Sequence, residues 1–538
     1  MGILGWITLL PLAGAALTML VPREEEAIHR GIGLATALAT FLASLLILGD
    51  FDAGKAGFQL EVNKGWIDSL GIRFHLGIDG ISLWLVLLTT FMMPLTLLAP
   101  QAIGTRNIRV REFIIAMLVL EAGMIGAFVA LDMFVFYVFW ELMLIPMYFI
   151  IGIWGGERRL YASIKFVIYT LVGSLLMLVA ILYLYAQHHA ATGTFTFDYV
   201  TLSRLTLPEG PQLWCFLAFA LAFAIKIPLF PLHTWLPDAH VEAPTGGSVI
   251  LAAVLLKFGA YGFLRFALPM FPLAAQTMAP VITVLAVVGI IFGALMAYVQ
   301  NDAKKLVAYS SVSHLGFVVL GVMAMGQVAV QGAIFQMLGH GISTGGLFLG
   351  VGLLYDRRHT RKLDDFGGLW KRIPIFSACF LVIVLASVGL PGLCGFVGEF
   401  LILIGTFNAP AGTLVPWAQS SAIISASAVI LAAMYLLTMY QKIFFGPLDK
   451  PENKAPEVRD IHGRERWVFG IVIVAALALG VYPKPILDRS EKSVAAMIQG
   501  FQERLKDSAS HPDAPVHLFP ADVAPVAAPA APAGAPAP

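Results

Sequence analysis

An all-helical bundle that crosses the membrane many times is the fold class the sequence predicts, on three observations. Of 538 residues, 59% are apolar and 12% charged, and the mean hydropathy is +0.83. A soluble domain carries about 25% charged residues, so half that density cannot cover a water-facing surface. Apolar runs of roughly 20 residues, enough to cross a ~30 Å hydrocarbon core as a helix, recur along the chain. The Lys and Arg residues gather between alternate runs. With 34 Lys+Arg against 33 Asp+Glu, there is no basic excess for nucleic acid and no acidic excess for a cationic partner. Cys215, Cys379 and Cys394 lie far apart in apolar runs, which excludes a disulfide framework and a four-cysteine metal or iron–sulfur site within the chain. Any redox chemistry is therefore expected in another subunit.

Fourteen runs are read as spans. The first, 2 to 21, has no Lys or Arg ahead of it and Arg23 behind it, the reverse of a signal peptide's charge order, and is expected to be retained. Spans 2 and 3 cover 29 to 49 and 79 to 99. Span 4 (112 to 131) holds Glu121, span 5 (133 to 153) Glu141, and span 6 (161 to 186) Lys165 near its start. Span 7 (213 to 241) carries Lys226 ahead of Pro228 and Pro231, and span 8 (245 to 268) carries Lys257, with Arg265 near its end. Span 9 (279 to 299) has no charge, whereas spans 10 (306 to 325) and 11 (329 to 354) each hold a histidine, His314 and His340. Span 12 (375 to 407) is interrupted by Gly389, Pro391, Gly392 and Gly395 shortly before Glu399; spans 13 and 14 cover 420 to 445 and 466 to 482.

Positive charge fixes the expected topology, because Lys and Arg stay on the cytoplasmic side of short loops. Odd-numbered loops carry 21 of them, from Arg23 to Arg466, and even-numbered loops only Lys55, Lys64, Arg73 and Arg204. Both termini are then expected outside the cytoplasm, in agreement with an even span count. From about Pro512 the tail is rich in Ala and Pro with almost no charge. Such a segment cannot bury enough apolar surface to order itself, and a disordered extracytoplasmic tail is expected, with a partner-binding strap as the alternative.

The mid-span charges Glu121, Glu141, Lys226, Lys257 and Glu399 each cost ~2.5–3.5 kcal/mol to insert. They must face the bundle interior and find partners or water. Lys165 and Arg265 lie near span ends, where long side chains reach the headgroups. Two readings of the buried set compete. One is structural pairing across helices, although buried pairs are a poor route to stability. The other is a proton path: a buried lysine facing a carboxylate is a switchable proton site, and His314 and His340 suit a relay because imidazole accepts on one nitrogen while donating from the other. The breakers support the second reading. Spans 7 and 12 are each opened beside an ionisable residue, Lys226 and Glu399, and paired broken helices point to an inverted-repeat transporter with ion sites near the midplane.

The segments FVFYVFWELMLIPMYF (134 to 149), FAIKIPLFPLHTWLPDAHVEAPTGGSVILAAVLLKFGAYGFLR (223 to 265), DAKKLVAYSSVSHLGF (302 to 317) and LPGLCGFVGEF (390 to 400) closely resemble the antiporter-like membrane subunits of proton-pumping NADH:quinone oxidoreductase, respiratory complex I, over roughly residues 80 to 480. The resemblance implies fourteen transmembrane helices, inverted symmetry between helices 4 to 8 and 9 to 13, and broken helices 7 and 12. It divides the chain into N-terminal helices 1-111, a first repeat 112-268, a second repeat 269-446, a loop and last helix 447-483, and an extracytoplasmic tail 484-538.

Carried over residue by residue, it implies that Glu141 and Lys226 form the pair of the first half-channel, Lys257 is the connecting lysine, His314 and His340 are relay positions, and Glu399 ends the second half-channel. Lys165 and Glu121 are further candidates for proton transfer. Glu at 399, where L-type, N-type and sodium/proton antiporter relatives usually place Lys, resembles the M-type branch. L-type members also carry a long lateral helix, for which residues 484 to 511 are too short and too charged. The implied function is to couple NADH-to-quinone electron transfer in other subunits to proton pumping, with no cofactor in this chain and FMN and iron–sulfur clusters in partner subunits. The implied partners are the other complex I subunits, especially the neighbours of L and N type, and membrane lipids. A bacterial inner membrane with both termini periplasmic is expected, with the mitochondrial inner membrane as alternative. Rival functions are a membrane subunit of a related proton-pumping hydrogenase or multisubunit cation/proton antiporter, a free-standing solute transporter, and a structural spacer.

Overall fold

The helices of the computed structural model follow the apolar runs closely. The structure describes residues 2–103, 108–409, 414–510, 512 and 514–519; Arg106 of the charge count and the Ala/Pro-rich stretch 520–538 lie outside them. Among the described residues, ten helices are each long and apolar enough to cross a membrane. Ser82–Leu98, Pro374–Val388 and Cys394–Phe407 are shorter apolar helices. Reaching fourteen crossings requires counting span 3, the two broken spans and Arg464–Val481, so that number stays an expectation.

Both expected breaks are present, and each has a local cause. Span 7 is a helix Glu209–Lys226 followed by Trp235–Glu242. Pro228 and Pro231 have no N–H to continue the ladder, and the carbonyls at the broken end find other donors: Ala224 O accepts from Leu229 N (2.8 Å) and Ile225 O from the Trp235 indole (3.0 Å). Lys226 therefore ends its helix, where the dipole favours a cation. Span 12 stops at Val388, turns through Gly389 and Gly392 at positive φ, and resumes at Cys394. Glu399 falls in the second turn of the resumed helix.

The bundle has two polar faces. One carries Arg158, Glu242, Asp302 and Arg361: Glu242 Oε2 accepts from Arg158 N (2.9 Å), Arg361 pairs with Asp302 (3.3 Å), and Arg357 pairs with Glu465 (2.9 Å). The other carries an antiparallel hairpin of strands Gln59–Ile67 and Ile72–Ile78. Its signal stood in the sequence as the alternation Ile72, Phe74, Leu76, Ile78 after Gly71, which takes the left-handed conformation a turn needs. The last helix, Lys484–Ser510, bends 63° from Arg464–Val481 and buries Ile486, Val494 and Phe501. Ser493 Oγ accepts from Gly80 N (2.9 Å), tying this helix to the end of the hairpin. Residues 484–510 thus form a 27-residue amphipathic helix. Beyond it, His517–Leu518 pairs with Leu205–Thr206 as a short antiparallel ladder.

Two side chains lock the hairpin face. Asp132 caps the helix beginning at Met133, accepting from Phe134 N (2.9 Å) and Val135 N (3.1 Å), and its other oxygen accepts from Arg73 N of the hairpin (3.0 Å). Loss of such a cap costs about 1–2 kcal/mol. Asp132→Ala is expected to lower the midpoint of thermal unfolding of the assembled subunit without changing turnover at low temperature; an unchanged midpoint contradicts this.

His75 is buried, with Nδ1 2.7 Å from Asp198 Oδ1 and Nε2 2.9 Å from Glu61 Oε2. Burial alone would lower its pKa, but the hydrogen bonds and charges of Asp198 and Glu61 hold it above the ordinary 6.5. A raised folded value means that the charged clamp contributes fully below 6.5 and is lost as pH rises through the folded value. The stability gap between wild type and His75→Asn should therefore be widest at acidic pH and narrow above neutrality. A gap that does not change with pH contradicts the charged clamp.

Candidate functional site

Buried ionisable side chains fall in two groups, Lys226 with the neighbouring Glu141 and a line from Lys257 to Glu399, each built from side chains of more than one helix. Lys226, 3% exposed, lies beneath the aromatic faces of Trp140 (5.1 Å to the ring centroid) and Phe166 (5.8 Å). Glu141 follows Trp140 in the chain, so the ring over Lys226 and the carboxylate expected to pair with it come from adjacent residues of one helix. The expected Glu141–Lys226 pair makes no direct ion pair. Glu141 is half-buried at the edge of the bundle, its Oε1 without a hydrogen-bond partner, and Tyr137 lies against it one turn earlier.

Span 8 is buried along its whole length and carries two π-helical turns, Leu251–Leu255 and Phe263–Ala267. Such wider turns recur at functional positions of helices. It runs hard against the broken end of span 7 at Gly259, where a Cβ would fall 2.4 Å from Phe223 O and 2.6 Å from Ile227 Cβ. Glycine at 259 is what lets the Lys257 helix approach the end that carries Lys226. Lys257, fully buried after the first π turn, donates to Ala252 O (2.5 Å) and meets His340 Nδ1 at 2.8 Å.

From His340 the series runs on. The ring of His314 lies 5.8 Å from that of His340 between centroids, and His314 Nδ1 is 2.6 Å from Glu399 Oε1. Gln336, one turn before His340, donates its amide to the same Glu399 oxygen (2.9 Å), and Tyr435 OH stands 3.4 Å from His314 Nε2. Gly398 leaves the space for Gln336, since a Cβ there would lie 2.6 Å from its Cα and Oε1. Lys257, His340, His314 and Glu399 thus form a near-continuous line of groups that gain and lose protons, all at least 95% buried. Amine, imidazole and carboxylate in this order can pass a proton; none of them performs electron transfer.

Not every candidate joins the line. Glu121 is fully buried on its helix, but neither carboxylate oxygen has a hydrogen-bond partner, so it is bonded to no group of the line. Lys165 donates to Asp238 (2.7 Å) and to Thr234 O (3.0 Å), so it pins the segment after the break in span 7 rather than reaching headgroups. Arg265 does not reach headgroups either: it is 5% exposed and pairs with Asp79 at 2.6 Å. Gln336 and Tyr435 escaped sequence reasoning because amides and phenols are common in membrane helices; the spacing Gln336 to His340, four residues on one helix face, is the one signal present. His240 was also missed. It is buried, stacked on Phe348 at 4.5 Å between centroids, and both ring nitrogens lack partners. Among the described residues, no three His, Cys, Asp or Glu side chains are placed to hold a metal ion.

Comparison with known proteins bears on what this series belongs to. Residues 130–425 match the family model described as NADH:quinone oxidoreductase/Mrp antiporter, TM, and residues 59–127 match NADH-ubiquinone oxidoreductase chain 4, amino terminus. The chain is 47% identical to NADH-quinone oxidoreductase subunit M of Rhodobacter capsulatus over 94% of its length and 98% of that protein's. It is 42% identical to NADH-ubiquinone oxidoreductase chain 4 of Arabidopsis thaliana, over 92% of its length and 97% of that chain's. Among solved structures it superposes on a chain of respiratory complex I from Thermus thermophilus with a TM-score of 0.81 and 34% identity, covering 94% of this chain and 99% of that one. A chain of the Mrp complex from Dietzia sp. shares the fold, with a TM-score of 0.78 at 20% identity over 94% of this chain and all of that one.

Proposed function

The chain belongs to the antiporter-like membrane subunits of NADH:quinone oxidoreductase, and from that premise we propose that its buried series is the path by which it carries protons across the membrane. The single observation that carries the proposal is the line Lys257, His340, His314, Glu399, in which 2.8 Å and 2.6 Å contacts flank the two imidazoles, set edge to face 5.8 Å apart. Glu141, Lys226, Lys257 and Glu399, each costly to insert at mid-span, are intelligible as proton stations. Glu141 acts on Lys226 by charge, Lys226 exchanges with Lys257 across the close approach at Gly259, and the two histidines pass the proton to Glu399; Gln336 helps to orient Glu399 and Tyr435 helps to orient His314.

Glu141 also speaks for a partner. A half-buried carboxylate at mid-span on the rim of the bundle is costly against lipid, and an adjacent subunit that covers it supplies both shelter and a coupling signal. The neighbours proposed are the L-type and N-type subunits, with FMN and iron–sulfur clusters held by other members of the complex. The face with Arg158, Arg357 and Arg361 is assigned to the cytoplasm, and the hairpin face, with both termini, to the periplasm of a bacterial inner membrane. Tagging the chain and purifying its assembly in mild detergent tests the reading. Flavin, iron–sulfur signals and quinone reduction by NADH are expected; nickel without flavin, or the chain alone, contradicts it.

A further inference from the structure

Span 8 carries a second polar series, which runs from Lys257 toward the hairpin face. Tyr261 and Arg265 follow Lys257 at four-residue intervals, so the three side chains share one face of the helix. Arg265 Nε donates to Tyr261 OH (3.3 Å), and Arg265 Nη2 donates to Asp79 Oδ1 (2.6 Å). Asp79 lies at the end of the hairpin, where the same oxygen accepts from Ile81 N and Ser82 N (both 3.0 Å) and from Ser82 Oγ (3.3 Å). The Arg265 guanidinium is further covered by the Phe58 ring at 4.9 Å, and its carbonyl accepts from Tyr199 OH (2.6 Å). Arg265, Asp79 and Tyr261 are 5%, 4% and 1% exposed.

Laid out this way, the residues resemble a wire leading out of the membrane, yet their hydrogen bonds do not conduct. The Tyr261 hydroxyl donates to Phe128 O (3.0 Å), a main-chain carbonyl that has no proton to pass on. Its oxygen accepts from a guanidinium, which does not give up a proton in proteins. Stability is a weak reason to keep such a buried pair, because desolvation offsets much of the attraction. A fixed cation in a channel, by contrast, repels protons and other cations.

We propose that Arg265, held by Asp79, is an insulating plug: it blocks the short route from Lys257 to the hairpin face, so that a proton on Lys257 leaves only sideways through His340. Arg265 is here a positioning and selectivity residue, not a proton carrier, and the inference rests on the proton-carrying reading above. The type of cation is the testable feature, because lysine keeps the charge but can release its proton.

The experiment uses the whole complex reconstituted in phospholipid vesicles with a trapped pH dye. An imposed pH gradient is followed without NADH, and acidification is followed with it. R265K is expected to assemble, to reduce quinone at the wild-type rate when uncoupled, and to dissipate the imposed gradient several-fold faster than wild type. Y261F is expected to leave both the passive leak and pumping at wild-type values, since Tyr261 passes no proton. If R265K does not assemble, R265Q/D79N, which removes both charges together, takes its place with the same expected leak. A wild-type leak rate in the assembled arginine variant, or loss of pumping in Y261F, overturns the plug. Failure of wild-type vesicles to acidify would instead overturn the proton-carrying reading, so the two outcomes are separable.

Discussion

Replacing Lys257 by methionine is expected to stop coupled proton transfer while leaving the complex assembled. The lysine is fully buried, and its two polar contacts are Ala252 O and His340 Nδ1, of which only the imidazole can exchange a proton. Methionine fills nearly the same volume, so packing beside Gly259 survives, while the station joining the two halves is gone. A positioned proton-transfer group typically contributes ~10²–10⁴ in rate. NADH-driven acidification in vesicles should therefore fall at least about tenfold, with quinone reduction slowed in step if coupling is tight. Dehydrogenase activity with an artificial acceptor, which takes electrons without quinone reduction, should stay at the wild-type level. Unaltered acidification in an assembled Lys257→Met complex contradicts the relay.

Neutralising Glu141 is the second large effect, with a different signature. Glu141 makes no direct ion pair with Lys226 and stands one residue from Trp140, so Glu141→Gln removes a negative charge beside the lysine without disturbing the Trp140 and Phe166 rings around it. Coupled turnover is expected to drop about tenfold or more, on the same scale of one proton-transfer group, and Glu141→Asp to recover part of it because the charge returns on a shorter stem. Wild-type rates in an assembled Glu141→Gln complex would sink the proposal that this carboxylate sets the proton affinity of Lys226. Equal loss in the Gln and Asp variants would point to packing at the rim instead.

How much of this was legible in the sequence depends on how far apart the cooperating residues lie. Broken spans 7 and 12 were readable because Pro228, Pro231, Gly389 and Pro391 act within a few residues of where they stand. The charged residues of the proposed relay stood out singly, because the cost of a buried charge in lipid demands a reason wherever it occurs. Which of them meet was not readable from hydropathy. His314 and Glu399 are 85 residues apart and Arg265 and Asp79 are 186 apart, and only tertiary packing decides such pairs. Arg265 was accordingly read as reaching the headgroups because it stands near the end of a span, while the hairpin and Asp79 fold over that end and take it out of reach. Glu121 is the opposite case: a mid-span carboxylate stands out in the sequence, and in the fold neither of its oxygens has a hydrogen-bond partner.

Glu399 concentrates the central claim, since it ends the line and takes hydrogen bonds from both His314 and Gln336 on one oxygen. The most direct measurement is the initial rate of NADH-driven proton translocation by the reconstituted complex carrying Glu399→Gln, normalised to complex content and compared with wild type. Glutamine keeps the shape and can still bond His314, but it cannot hold the transferred proton. The account predicts a loss of about tenfold or more in proton translocation; a variant that assembles fully and translocates protons at the wild-type rate and ratio to NADH would contradict it.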